Sequence, residues 1–375
     1  MKQVLLRKRN MLLLLIPLGI LLTGWTKANA RVAEEVFAAG IYKVLSQGMS
    51  MLTGWIPFSL MELIILVGPV AVLVLIVRQI VRVVKNAAKK RFLLFMTMVQ
   101  NLLCLAAVIY FSYVLLCGVN YHRYPVAYHL GLTVENSTVE ELAGLYTELA
   151  DKATELRAQL TTENEKGVYV LPYSERQLGK EAKKAYQELA KEYPVFGGVY
   201  PAPKHVFFSR LMSWTEITGV FTPWTMEANV NIDISPYSIG STMCHELAHL
   251  RGFMREDEAN YISYRACMAS DSLDLQYSGT MLALIHTGNA LYRQDAELYF
   301  EIYRAHISAK VSGDLIANNE YWDRFEKPVV GDTTVGEIAD KVNDAYLKAN
   351  DQEDGTKSYG RVVDLLLAEY KQRKN

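Results

Sequence analysis

Apolar positions are spread unevenly along this chain. Three runs in the first third, residues 11–26, 56–77 and 92–118, are dominated by them. The second and third exceed the roughly 20 residues that a helix needs to cross a hydrocarbon core, so each predicts a membrane span. The first run is shorter and follows Lys2, Arg7, Lys8 and Arg9. It admits two readings, a cleaved signal ending near Ala28-Asn29-Ala30 or an uncleaved anchor. Lys27 and bulky Trp25 favour the anchor. Between the first two runs, Val36, Ile41, Leu45 and Met49 recur at helical spacing and predict an amphipathic helix at the membrane interface.

From residue 119 the pattern becomes that of a soluble domain. Ser137-Thr138-Val139-Glu140 reads as a capping box and predicts a helix to about Leu160. A second helical period covers Ser174 to about Glu192. A Pro/Gly-rich stretch, Pro194 to Pro203, breaks it. Three β-like runs follow, His205–Ser209, Ile217–Phe221 and Asn229–Ile234, with turn residues between them. A helix beginning near Ser238 stops at Gly252, and another runs from about Glu256 to Ala269. Helical periodicity dominates the remainder. Strands, then a central helix, then a helical lobe predict an α+β fold for residues 119–375, behind a membrane region of about three helices in residues 1–118.

Charge orients these elements. Arg78, Arg82, Lys85, Lys89, Lys90 and Arg91 lie between the second and third runs without an acid among them. Such a loop marks the cytoplasmic side. Three crossings then place residues 119–375 outside the cytoplasm. The net charge of -1 gives no bulk attraction for nucleic acid. The four cysteines, Cys104, Cys117, Cys244 and Cys267, form neither a disulfide framework nor a C-x-x-C metal site, and buried thiols are the simpler reading. Glu62 lies inside the second run, where a place near the interface accounts for it more simply than a functional role.

The candidate chemistry sits at His245-Glu246-Leu247-Ala248-His249. Two histidines four residues apart on a helix share a face and can grip one Zn²⁺, and Glu246 beside them can take a proton from the attacking water. A catalytic zinc needs a third protein ligand. Two carboxylates compete in Glu256-Asp257-Glu258-Ala259-Asn260, and the spacing favours Glu256 over Glu258. Asn260, one turn beyond Glu256, could then hydrogen-bond the outer nitrogen of a ligating histidine. For stabilising an oxyanion, Tyr359, Tyr321 and His286 are candidates. The stretch Glu227 to Asp233 is the candidate edge strand for binding a substrate backbone. Cys244 points about 100° away from His245 around the helix, which suits packing.

The position of Gly252 after His249 fits the metzincin pattern, but Arg255 stands where that family has its third histidine. The stretch instead resembles the gluzincins, which join H-E-x-x-H to a glutamate on the next helix. Thermolysin-like enzymes, CAAX-type membrane proteases and antirepressor-cleaving peptidases share it, and the resemblance covers about residues 241–267. The seven-residue gap from His249 to Glu256 is shorter than theirs. Over most of its length the chain also resembles a family of bacterial membrane proteins known as a domain of unknown function. Asn120-Tyr121-His122-Arg123, Thr242 to Asn260, Asp354-Gly355 and Ser358-Tyr359-Gly360-Arg361 carry that likeness. Together these resemblances imply a zincin-like domain with a small sheet, an active-site helix and a helical C-terminal lobe. The expected activity is that of a membrane-anchored zinc metallopeptidase, a hydrolase acting on an extracytoplasmic peptide or protein. The alternative is a zincin-fold sensor, receptor or structural membrane protein without turnover.

Overall fold

The computed structural model describes residues 8–86, 88–325, 334–350 and 361–374. The chain is mostly helical around one small sheet. Among the described residues, three helices are long and apolar enough to cross a membrane: Lys8–Ala28, Leu60–Val84 and Lys90–Leu116. Nearly all their side chains face outward, as contact with lipid requires. The first begins as a 3-10 turn and continues as α1 (Leu15–Ala28). The second is α3 (Leu60–Val84) and the third belongs to α4 (Ala88–Leu116). The α3 helix starts at Leu60 rather than Ile56 because the Ser59 side chain caps it, accepting from the Glu62 amide.

The segment between α1 and α3 is helical, as its spacing predicts, but its buried face is a different one. It begins as a π-helix, Val32–Tyr42, and runs on as α2 (Lys43–Gly54). Ala33, Glu34, Phe37, Ala38, Tyr42, Ser46 and Ser50 face inward, whereas Val36 and Ile41 face out. Winding with i→i+5 bonds rotates the side chains away from a 3.6-residue period, which is why α-helical spacing picks the wrong face here. Leu45 and Met49, beyond the π-helix, pack against the main core.

After a 3-10 turn, Gly118–His122, come α5 (Val126–Leu130), α6 (Val139–Gln159) and α7 (Glu175–Glu192). The capping box of α6 uses Thr138 and Glu141, one residue later than expected. Ser137-Thr138-Val139-Glu140-Glu141 contains two overlapping boxes, and the structure takes the second. The sheet follows: β1 (Lys204–His205), the short helix α8 (Ser209–Ser213), β2 (Gly219–Thr222) and β3 (Glu227–Val230). β1 ends early because Ser209 turns the chain, donating to the Val206 carbonyl and accepting from Ile232 N–H.

The strand order is β1-β3-β2, with β1 parallel and β2 antiparallel to β3. This corrects the expectation for Glu227 to Asp233: β3 is the central strand, paired on both sides, and β1 and β2 are the edge strands. The helices α9 (Pro236–Leu250), α10 (Glu256–Met268) and α11 (Leu273–Gln294) pack on one another, and α9 also lies against β2 and β3. The remainder is α12 (Ala296–His306), α13 (Ala309–Trp322), α14 (Val335–Ala349) and α15 (Val362–Lys374). The four cysteines are free and buried.

Candidate metal centre

Helix α9 carries the two histidines and is buried on most of its circumference. Pro236 at its first position suits a helix start, where no N–H partner is needed. Its end is what builds the site. Gly252 has φ +87°, a conformation that glycine adopts without penalty. Its N–H bonds the His249 carbonyl at 2.8 Å, and Phe253 N–H bonds the Ala248 carbonyl at 3.2 Å. This is a Schellman stop. The reversal brings the Phe253 carbonyl to 2.7 Å from His249 Nδ1. A carbonyl only accepts, so Nδ1 carries the proton and Nε2 faces inward with its lone pair.

The same logic holds for His245, whose Nδ1 lies 2.8 Å from Asn260 Oδ1. The Nε2 atoms converge on Glu256, at 3.1 Å from His245 and 3.6 Å from His249. Ligand atoms of these three residues all lie within 4.8 Å of one another. A tetrahedral ion with bonds of about 2.0–2.1 Å needs its ligand atoms about 3.3 Å apart, so the set fits a metal ion of that size. A metal ion there would take the two Nε2 lone pairs and the carboxylate. Without an ion, the same groups form an ion-paired cluster. Burial opposes a charged His249, but the Glu256 carboxylate outweighs it and lifts the ring to about 9. Burial likewise opposes a charged Glu256, and the two histidines overcome it, holding the carboxyl far below its usual range.

The three acids at the start of α10 point in three directions, as 100° per residue dictates. Glu256 meets the histidines. Asp257 lies 3.6 Å from Arg361. Glu258 accepts from Val126 N–H at 2.9 Å and from Arg255 at 2.7 Å. Glu258 Oε1 is thus engaged away from the histidines, and among the described residues the group that could hold a metal ion is His245, His249 and Glu256. Arg255 also donates to the Tyr121 and Arg123 carbonyls, fixing the start of α10 to the turn after α4.

Glu246 is buried, and its Oε2 has no hydrogen-bond partner. Burial lifts its carboxyl to about 7, against the pull of the two histidines. It packs across Gly219 of β2, where a Cβ would come within 2.4 Å of Glu246 Oε1. Phe221 on the same strand stands over His249, with ring centroids 6.3 Å apart. β2 thus forms one wall of the site.

The remaining candidates separate. His286, on α11, is close enough to His245 to feel its charge; burial first, then that charge and Arg293, lower the ring to about 4, so it is neutral. The Tyr321 hydroxyl is held by Ser213 and Asp233 and is not brought to the histidines. Tyr359 lies outside the described residues.

Sequence reasoning missed three contributors. Gly219 shapes the pocket for Glu246. Tyr42, on the segment between the first two apolar helices, donates to the His249 and Leu250 carbonyls at 3.1 and 3.3 Å. Tyr346, on α14, gathers the Tyr113 and Tyr121 hydroxyls at 3.1 and 3.4 Å. That cluster adjoins the site, since Glu256 adds to the rise of the buried Tyr121 and Cys117. Nothing local in the sequence signals these residues, which act across the fold.

No curated protein and no solved structure matches the chain. One family, described as a protein of unknown function (DUF3810), matches residues 37–367, and the chain belongs to it.

Proposed function

We propose that this protein is a membrane-anchored, zinc-dependent metallopeptidase that hydrolyses peptide bonds outside the cytoplasm, with a zincin-like site on α9 and α10. One observation carries the reading: Glu246, buried and unpartnered, stands beside a His245, His249 and Glu256 set whose outer nitrogens are already fixed. A purely structural metal site has no use for a fourth, uncommitted carboxylate.

Zinc, when bound, would polarise the scissile carbonyl and lower the pKa of water. The chain's own residues would do the rest. Asn260 and the Phe253 carbonyl hold the two imidazoles in one tautomer. Glu246 takes a proton from the attacking water and returns it to the leaving amine nitrogen as the C–N bond breaks. Its raised pKa suits both steps near neutral pH. A substrate backbone would lie along the free edge of β2 by strand addition. His286 offers a neutral donor for the developing oxyanion.

Two features support placing the C-terminal domain outside the cytoplasm. The segment Val32–Gly54 packs on residues after α4, so both lie on one side. A crossing out and back by α3 and α4 gives that arrangement. The basic stretch between α3 and α4 assigns the opposite side to the cytoplasm.

Full-length protein in detergent provides the test. Zinc-dependent cleavage of a peptide mixture that stops in Glu246→Gln, with zinc retained, supports the reading. Zinc bound without turnover in the wild type overturns it and favours a sensor.

A further inference from the structure

The sheet grows directly out of the membrane helices. Leu60 and Met61 N–H groups, at the start of α3, donate to Glu227 of β3 at 3.2 and 3.0 Å. Glu62, one residue on, accepts from Phe207 and Phe208 N–H at 3.0 and 2.6 Å. Lys204 of β1 ties the same corner by donating to the Thr53 and Phe58 carbonyls at 2.8 and 2.9 Å. On the other side, Trp224 in the β2–β3 turn donates to Ser112, four residues before the end of α4, at 2.9 Å. Two span ends thus hold the sheet at one level.

Large apolar side chains are exposed at that same level. Trp55 is 86% exposed and Phe207 81%, with Phe58, Phe208, Leu211 and Trp224 also open. Water-facing aromatics in this number are costly, whereas aromatic belts at span ends are the norm where a protein meets the headgroup layer. Glu62, which sequence alone leaves near an interface, caps the loop that presents two of them.

We propose that this face, built from Trp55, Phe58, Phe207, Phe208, Leu211 and Trp224, lies in the lipid headgroup layer, so that the site receives peptide held at the membrane surface. The argument rests on the three apolar helices being spans and on the peptidase reading of the site. The occupant is the bilayer itself, because the face is continuous with the outward-facing apolar surface of α3 and α4. Its consequence for substrate is geometric. Gly219, beside Glu246, is five residues from Trp224 along the chain, at most about 17 Å in an extended strand. A peptide added to the β2 edge would cover the distance from membrane to Glu246 with about five residues. The substrate class is therefore a membrane-tethered polypeptide cut close to its anchor. Water adds across the amide, leaving a carboxylate on one product and an amine on the other.

The test uses the full chain in phosphatidylcholine–phosphatidylglycerol vesicles. With Trp25, Trp55, Trp214 and Trp322 replaced by Phe, Trp224 is the sole indole. Phosphatidylcholine brominated high on the acyl chain should quench it at least about twofold more than one brominated low, and aqueous acrylamide should quench it little. Quenching by acrylamide with neither lipid effective would overturn the proposal. Should the multiple replacement fail to fold, an environment-sensitive fluorophore on Phe207→Cys, an exposed position, gives the same reading: a blue shift on reconstitution supports the proposal and none overturns it. A casein peptide on a lipid anchor then tests the substrate class. A spacer of about five residues should allow cleavage as fast as one of about 25 residues. Cleavage with the long spacer alone would overturn the surface placement. Cleavage with neither would defeat the peptidase reading, while the quenching result still decides the face.

Discussion

At the scale of single residues, Glu246 is the position where structure and chemistry are most closely joined. Glu246→Gln keeps the shape and removes the proposed base, so it should lower kcat about 100- to 10,000-fold with metal content unchanged, as read by turnover and elemental analysis on one sample. Gly219→Ala reaches the same atom from the strand side. Its Cβ would stand 2.4 Å from Glu246 Oε1, so the carboxylate must move. We expect kcat to fall while zinc stays; unchanged kcat would show that the Glu246 position does not matter. Much of this was legible in the sequence. Helical geometry alone puts His245 and His249 on one face, and the same period sets Asn260 one turn beyond Glu256. The different settings of Glu256 and Glu258 were not legible, because Val126 N–H, which holds Glu258, lies 132 residues away. The Phe253 carbonyl and Gly219 were illegible for a similar reason: a backbone atom and a missing side chain leave no motif.

At the scale of elements, the stop of α9 and the segment beneath it act together. The Tyr42 ring sits against Gly252, where a Cβ would meet it at 3.0 Å, and its hydroxyl serves the last carbonyls of α9. Tyr42→Phe should cost about 1 kcal/mol of stability. It should also weaken metal affinity, because His249 lies in the turn that loosens; thermal unfolding with and without zinc separates the two effects. Helix bounds were readable where a cap or a glycine wrote them, as at Ser174 and Gly252. Strand bounds were not, because β1 holds two residues and its end depends on Ser209 bonding to Ile232, just beyond β3. The inward face of residues 32–42 escaped a 3.6-residue reading because the backbone there winds as a π-helix.

At the scale of the whole molecule, the membrane segment and the later helices form one structure. Arg123 is buried and makes two hydrogen bonds to Glu34, at 2.9 and 2.6 Å, and His129 lies 3.3 Å from the same carboxylate. A chain beginning near residue 120 would lose both Glu34 and Tyr42, and with them the ion pair of Arg123 and the donor to the last carbonyls of α9. Such a fragment should unfold at markedly lower temperature than the full chain in detergent. The same pair sets a pH limit. Burial alone would raise the Glu34 carboxyl, but the nearby His129 and the hydrogen-bonded Arg123 prevail and hold it at about 2, below its ordinary 4.5. A depressed folded-state pKa stabilises above the unfolded value and loses that contribution as pH falls. We expect about 2 kcal/mol, allowing for partial screening, to disappear between about pH 4.5 and 2. Glu34→Gln should flatten that part of the stability profile.

The metal content of the full-length protein tests the account most directly. Purified wild type, reconstituted with zinc and stripped of excess, would be compared with His249→Ala, Glu256→Ala and Glu258→Ala by elemental analysis. The account predicts one zinc per chain in the wild type and in Glu258→Ala, and loss of it in the other two. A wild type that holds no zinc, or a Glu256→Ala variant that holds it as tightly as the wild type, would contradict it.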